Sequence, residues 1–261
     1  SGKIDRIDTC EDENKVYVKV TDYKTGMKSF DITAFYHGLQ IQLPVYLNAA
    51  LEIEKKKHPN REICPAGIFY YRIQDPFVNR ADTEEEVENS MLKELRLDGL
   101  VNGDDQVVDH LERGLSGSSV RFPIGRNKDG SLSKASRVLT PGEFRTMLAY
   151  TKIMESELKE KMYEGEVQAE PYELNGATGC DYCECRDICG FDPRIDGCRY
   201  RQLEKYSLEE AVERMRLKTG ESGENTGDDS QENAGKDREK AEEKEVTGHG
   251  SDVDGRAAES H

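Results

Sequence analysis

SGKIDRIDTCEDENKVYVKVTDYKTG, residues 1–26, holds two segments of alternating side chains around an acidic turn. Residues 3–9 and 15–24 each read as a strand by their period of two, and residues 11–14 read as the hairpin turn between them. Asp5 falls in the first strand, while Asp22 and Lys24 close the second on either side of Tyr23. Paired strands run about 5 Å apart, so carboxylates on both can meet at one point. Hard divalent cations such as magnesium take such oxygen ligands. Asp22 and Lys24, two apart, share a face, which sets an ammonium beside a bound water or a phosphate. Such an arrangement suits phosphodiester hydrolysis. A lone Asp-x-Lys triplet is more often a solvated strand end. Val16, Val18 and Val20, which mark a half-buried strand leading into it, favour the chemical reading.

The length of 261 residues suffices for one sizeable core or two small ones. The net charge of -16 is unevenly placed, with 13 acids against 5 bases from residue 219 to the end. That tail has almost no large apolar side chains to offset the entropy of ordering, so it reads as a disordered acidic appendage. No run approaches the ~20 apolar residues of a membrane span, and no signal peptide is present. A start at Ser1, directly ahead of a strand, suggests a C-terminal piece of a longer chain.

Residues 37–57 read as an amphipathic helix, with Leu39, Leu43, Tyr46, Leu47, Ala50 and Leu51 at three- and four-residue spacings. Gln42 and Tyr46 lie four apart on one face, and Pro44 predicts a kink or a late start.

Together Gly2-Lys3-Ile4-Asp5, Asp22-Tyr23-Lys24 and Gln42-Leu43-Pro44-Val45-Tyr46 resemble the G-x-I-D, D-Y-K and Q-L-x-x-Y series of RecB-family nucleases in the PD-(D/E)XK group. The resemblance implies an α/β, restriction-endonuclease-like core, a mixed sheet flanked by helices. It implies that Asp5, Asp22 and the Tyr23 carbonyl bind the metal and that Lys24 orients the attacking water. Gln42 and Tyr46 then support the site and the DNA.

Further along, residues 64–76 are apolar and aromatic enough for a buried strand ending in an Asp75-Pro76 turn, and residues 84–96 read as a charged helix. Residues 98–109, rich in Gly and Asp, read as a loop with a short apolar run and solvated carboxylates. Between residues 120 and 138, Arg121, Arg126, Lys128, Lys134 and Arg137 stand against Asp129 alone. Phosphate contact and a solvated hairpin turning at Lys128-Asp129-Gly130-Ser131 explain that stretch about equally. Capping boxes open two more helices, at Thr140-Pro141-Gly142-Glu143 and at Ser207 with Glu210; the second helix fades by Gly220. These elements divide the chain into a nuclease domain over residues 1–205, a terminal helix over 206–218 and the tail.

Seven cysteines include Cys180, Cys183 and Cys189 in a C-x2-C-x5-C spacing, with Cys185 and Cys198 nearby. Without a secretory signal such clustering suggests metal rather than disulfides, and spacing alone does not separate zinc from an iron–sulfur cluster. The D-Y-K core followed by these cysteines resembles the C-terminal nuclease domain of the AddB family of helicase–nuclease subunits, over residues 1 to about 205. That resemblance implies a [4Fe–4S] cluster on Cys180, Cys183 and Cys189, whose fourth cysteine would precede Ser1. Cys10, Cys64, Cys185 and Cys198 are possible substitutes outside the family position. It also implies a bacterial cytoplasmic setting, an AddA partner and cutting of the 5′-terminated DNA strand during break resection. No Walker A signature occurs, so this piece does not supply the ATP motor. A standalone or CRISPR-associated exonuclease and a catalytically silent DNA clamp stand as alternatives.

Overall fold

Valine at every second position drives the central strand. Val16, Val18 and Val20 are fully buried on one face of β2 (Lys15–Lys24), which receives β1 (Arg6–Glu11) antiparallel on one side. On its other side β2 pairs in parallel with β3 (Glu62–Arg72), connected through α1 (Ile32–Tyr36) and α2 (Gln42–Lys57). The computed structural model describes residues 2–26, 29–78 and 83–220. Beyond β3 follow α3 (Glu84–Glu94), β4 (Asp98–Asn102), α4 (Asp105–Leu111), β5 (Gly117–Ser118), β6 (Gly125–Arg126) and β7 (Val138–Leu139). The chain continues through α5 (Pro141–Tyr163), β8 (Tyr172–Leu174), β9 (Ala177–Thr178), α6 (Arg186–Cys189), β10 (Arg201–Gln202) and α7 (Leu208–Thr219).

The main sheet runs β1-β2-β3-β4-β7, antiparallel, parallel, antiparallel and parallel in turn. This is the mixed α/β sheet with flanking helices that the resemblance implies. Leu43, Leu47 and Ala50 of α2 pack on the valine face of β2, with Phe144 and Met147 of α5 in the same cluster. Ala211, Val212 and Met215 of α7 close that cluster, so the last helix completes the core over the sheet. On the opposite face Phe69, Val101 and Val108 join Phe122 and Ile124.

The hairpin turn stands at residues 12–14, and β1 begins at Arg6, later than its alternation suggests; Asp5 lies in the bend just ahead of it. The helix expected over residues 37–57 starts at Gln42. Gly38, at φ 81°, ends α1 with a Schellman closure in which Leu39 N donates to Ala34 O at 2.8 Å and Gly38 N to Phe35 O at 2.9 Å. Pro44 then falls in the first turn of α2, where its missing N–H removes no helical bond. Both capping boxes form, at Thr140 with Glu143 and at Ser207 with Glu210.

Residues 98–109 correct the sequence reading, because they form a buried strand and a helix instead of a loop. Leu100 and Val101 are buried between β3 and β7, and a five-residue strand covered on both faces shows no alternation to read. Asp104 serves as the N-cap of α4. Gly99 belongs there for a steric reason: a Cβ on it would meet Ile68 O at 1.9 Å. The acidic tail expected from residue 219 onward lies, beyond Gly220, outside the described residues.

Gly99→Ala should therefore cost about 2–3 kcal/mol or prevent folding, because β3 must move to admit one methyl. Gly142→Ala, where a Cβ meets nothing within 4 Å, should stay within about 0.5 kcal/mol of the parent or gain slightly in urea titrations.

Candidate active site

Strand alternation carries Val20, Asp22 and Lys24 along one face, so the buried stripe of β2 ends in a carboxylate and an ammonium. Asp22 is only 3% exposed, and such burial of a charge demands compensation. Lys24 supplies it, its Nζ lying 2.5 Å from Asp22 Oδ2. Gln42, at the first position of α2, bridges the pair: its Oε1 accepts from Lys24 Nζ at 3.1 Å and its Nε2 donates to Asp22 Oδ1 at 3.2 Å. The amide is oriented by its neighbours, since an ammonium only donates and a carboxylate only accepts. The same Nε2 donates to Tyr46 Oη at 3.0 Å, one helical turn on.

Asp5 reaches this end of the sheet from the other strand. Arg6 pairs with Thr21, and Asp5 lies one residue ahead of that pair, in the bend before β1. Its Oδ2 accepts the Tyr23 amide at 3.0 Å, one peptide from Asp22. Tyr23 itself points to the opposite face, edge-on to Tyr71 with ring centroids 5.8 Å apart. All six residues singled out from the sequence thus come from the ends of β2 and α2 and the approach to β1.

Tyr70 and Asp98, which the sequence reading did not single out, continue the row. Register pairs Asp22 with Tyr70 and Tyr70 with Asp98. Burial, then the charges of Asp22 and Asp98, push the Tyr70 phenol up to about 12, so it stays protonated. The Lys24 ammonium lies 5.5 Å from its ring centroid. Asp98 is not the solvated carboxylate expected: it accepts the Phe30 amide at 2.5 Å and pairs with Arg137 at 2.5 Å. Arg126 likewise pairs with Asp105 at 2.7 Å, so two cations of the basic stretch are taken up by internal partners. Its turn is built as read, with Ser131 N donating to Asp129 Oδ1 at 3.0 Å.

Asp5, Asp22 and the Tyr23 carbonyl offer hard oxygen donors of the kind that magnesium takes. The cysteines are placed otherwise. Cys180 is half-buried and hydrogen-bonded to Tyr200, whose phenol it pushes above its usual range, while Cys183, Cys185 and Cys189 are exposed around α6. Among the described residues no three His, Cys, Asp or Glu side chains gather as a metal group, so the C-x2-C-x5-C thiols are not assembled on one centre as folded. Nor are the two candidate substitutes in the strands free. Cys10 Sγ faces His110 Nδ1 at 3.5 Å, and Cys64 Sγ donates to Glu62 at 3.4 Å.

The fold and the site geometry define a class, and comparison with known proteins agrees with it. The family model described as the PD-(D/E)XK nuclease superfamily matches residues 1–190, and the chain belongs to that family. Within it, the chain is 40% identical over 218 residues to the B subunit of the ATP-dependent helicase/deoxyribonuclease of Lachnoclostridium phytofermentans, covering 80% of this chain and 19% of that protein. The corresponding protein of Alkaliphilus metalliredigens is 40% identical over 217 residues, and that of Clostridioides difficile 37% over 221, each covering 82% of this chain and 19% of the relative. The chain thus spans about a fifth of the length of these relatives. No helix among the described residues is long and apolar enough to cross a membrane.

Burial, then Glu62, raises the Cys64 thiol to about 12, which leaves a thiolate fraction of about 10⁻⁴ at pH 8. Iodoacetamide at pH 8, read by peptide mass mapping, should therefore modify Cys183, Cys185 and Cys189 well before Cys64.

Proposed function

We propose that this chain is the metal-dependent deoxyribonuclease module of an AddB-type protein, hydrolysing phosphodiester bonds during break resection. The observation that carries the reading is the Asp22–Lys24–Gln42–Tyr46 network, with Asp5 bound across the hairpin to the Tyr23 amide. Asp5, Asp22 and the Tyr23 carbonyl would hold magnesium, which when bound supplies Lewis acidity and a more acidic water. Lys24 holds its ammonium at the Asp22 carboxylate, where it positions the nucleophile and opposes charge developing on the scissile phosphate. Gln42 keeps Lys24 and Asp22 in register, and Tyr46 fixes the Gln42 amide. Hydrolysis along this route needs no covalent enzyme intermediate.

By analogy with the relatives, the substrate is DNA and the working assembly an ATP-dependent helicase–nuclease; the family resemblance supplies AddA as the partner. The family resemblance adds the 5′-terminated strand and a bacterial cytoplasmic setting. It also supports a [4Fe–4S] cluster on Cys180, Cys183 and Cys189 with a fourth thiol from outside the chain. The three thiols alone form no metal group among the described residues, and the cluster reading needs the fourth ligand to complete it.

Asp22→Ala and Lys24→Ala, made in the full helicase–nuclease complex, should each lower degradation of the 5′-terminated strand by about 10²–10³-fold. Circular-dichroism melting should show the fold retained. Undiminished degradation by Asp22→Ala would leave a silent DNA clamp as the better reading. For the cysteines, the full complex should carry about four iron atoms and as much acid-labile sulfide. Zinc in their place would defeat the cluster.

A further inference from the structure

Arg72 closes β3 directly beside Lys24, with which it is paired in the parallel register. Alternation carries Ile68, Tyr70 and Arg72 on the face that β2 gives to Val20, Asp22 and Lys24. Arg72 therefore stands on the same face of the sheet as the proposed site, one strand over, about 5 Å from Lys24 along the pairing direction.

What marks Arg72 is a guanidinium nitrogen buried without a partner among the described residues. Two cations at this end of the sheet are already paired, Lys24 with Asp22 and Arg137 with Asp98. Among the described residues Arg72 has no ion pair, and its Nε is buried without a hydrogen-bond partner. A guanidinium so placed is under-satisfied, and the planar fork of arginine matches the two oxygens of a phosphate. The position next to the scissile-phosphate site makes a phosphodiester the anion that fits.

We infer that Arg72 is a substrate-binding residue, donating to a backbone phosphate of the DNA strand laid across the ends of β2 and β3. This rests on the nuclease reading above and adds a residue that none of the three matched motifs contains. Lys24 then faces the phosphate to be cut, and Arg72 holds the same strand beside it. Because the contact forms on binding, it sets affinity and register of the strand rather than the chemical step.

The test is fluorescence anisotropy of a labelled oligo(dT) 20-mer in EDTA from 50 to 300 mM NaCl, which reads binding without cleavage. Arg72→Gln should weaken binding about tenfold at 100 mM NaCl, and the slope of log affinity against log salt should fall by about 0.7, the value for one phosphate on a single strand. Arg72→Lys, which keeps the charge and guards against a folding defect in Arg72→Gln, should retain most of the slope. Unchanged slope and affinity within twofold for a folded Arg72→Gln overturn the inference. If Arg72→Gln does not fold, Arg72→Gly supplemented with guanidinium takes its place. Parental affinity and a full slope there, equally with and without guanidinium, overturn the inference too. The two readings fail separately. Magnesium-dependent hydrolysis lost in Asp22→Asn but binding indifferent to Arg72 defeats only the Arg72 contact. Arg72-dependent binding with no hydrolysis in the full complex defeats only the nuclease.

Discussion

A carboxylate that is nearly out of water at the end of the central strand is the constraint on which the site depends. Asp22 is held there by the valines that precede it: once Val16, Val18 and Val20 are placed in the core, the period of two forces Asp22 onto the same buried face. Its charge is then tolerable only with compensation at close range. The chain provides this from one step along the same strand, through Lys24, and from the first turn of the overlying helix, through Gln42. The packing that makes the core and the polarity that makes the site are the two ends of one strand.

The start of α2 is placed accordingly. Gly38 stops α1, Pro44 is admitted only in a first turn, and these two local rules bring Gln42 to the helix start over the end of β2. Had the helix run on from residue 37, the first-turn position that Gln42 occupies would have passed to another residue. Tyr46, a turn later, orients the Gln42 amide from the same face. A sequence motif of two residues four apart is, in three dimensions, a brace between helix and strand.

Electrostatics follow the same rule of close compensation. The basic stretch, which composition left open between phosphate contact and a solvated hairpin, pairs Arg126 with Asp105 and Arg137 with Asp98, where it ties the β6 and β7 region to α4 and to the approach of α1. Asp98, a solvated residue by composition, is a tether between β4 and the segment before α1. Local counts of charge did not reveal this, because the partners lie 39 residues apart in the case of Arg137 and Asp98.

The residues that read correctly from sequence are those whose fate is decided nearby. The alternation of β2, the two capping boxes and the four-residue spacing of Gln42 and Tyr46 all act over a turn or a strand. The likeness to a nuclease family was visible through these short motifs, which also named the six residues that the fold brings to one end of the sheet. What only the tertiary structure decided was β4, α4, the tether at Asp98 and, among the described residues, the burial of Arg72 Nε without a partner. Strand β4 is a strand because β3 and β7 cover it, and Gly99 is required because Ile68 lies against it. The cysteine spacing implied a metal site, and among the described residues the thiols form no group of three that could hold a metal ion. Spacing along a chain sets which side chains share a face; whether they meet, and which charge is left without a partner, depends on contacts between segments distant in sequence.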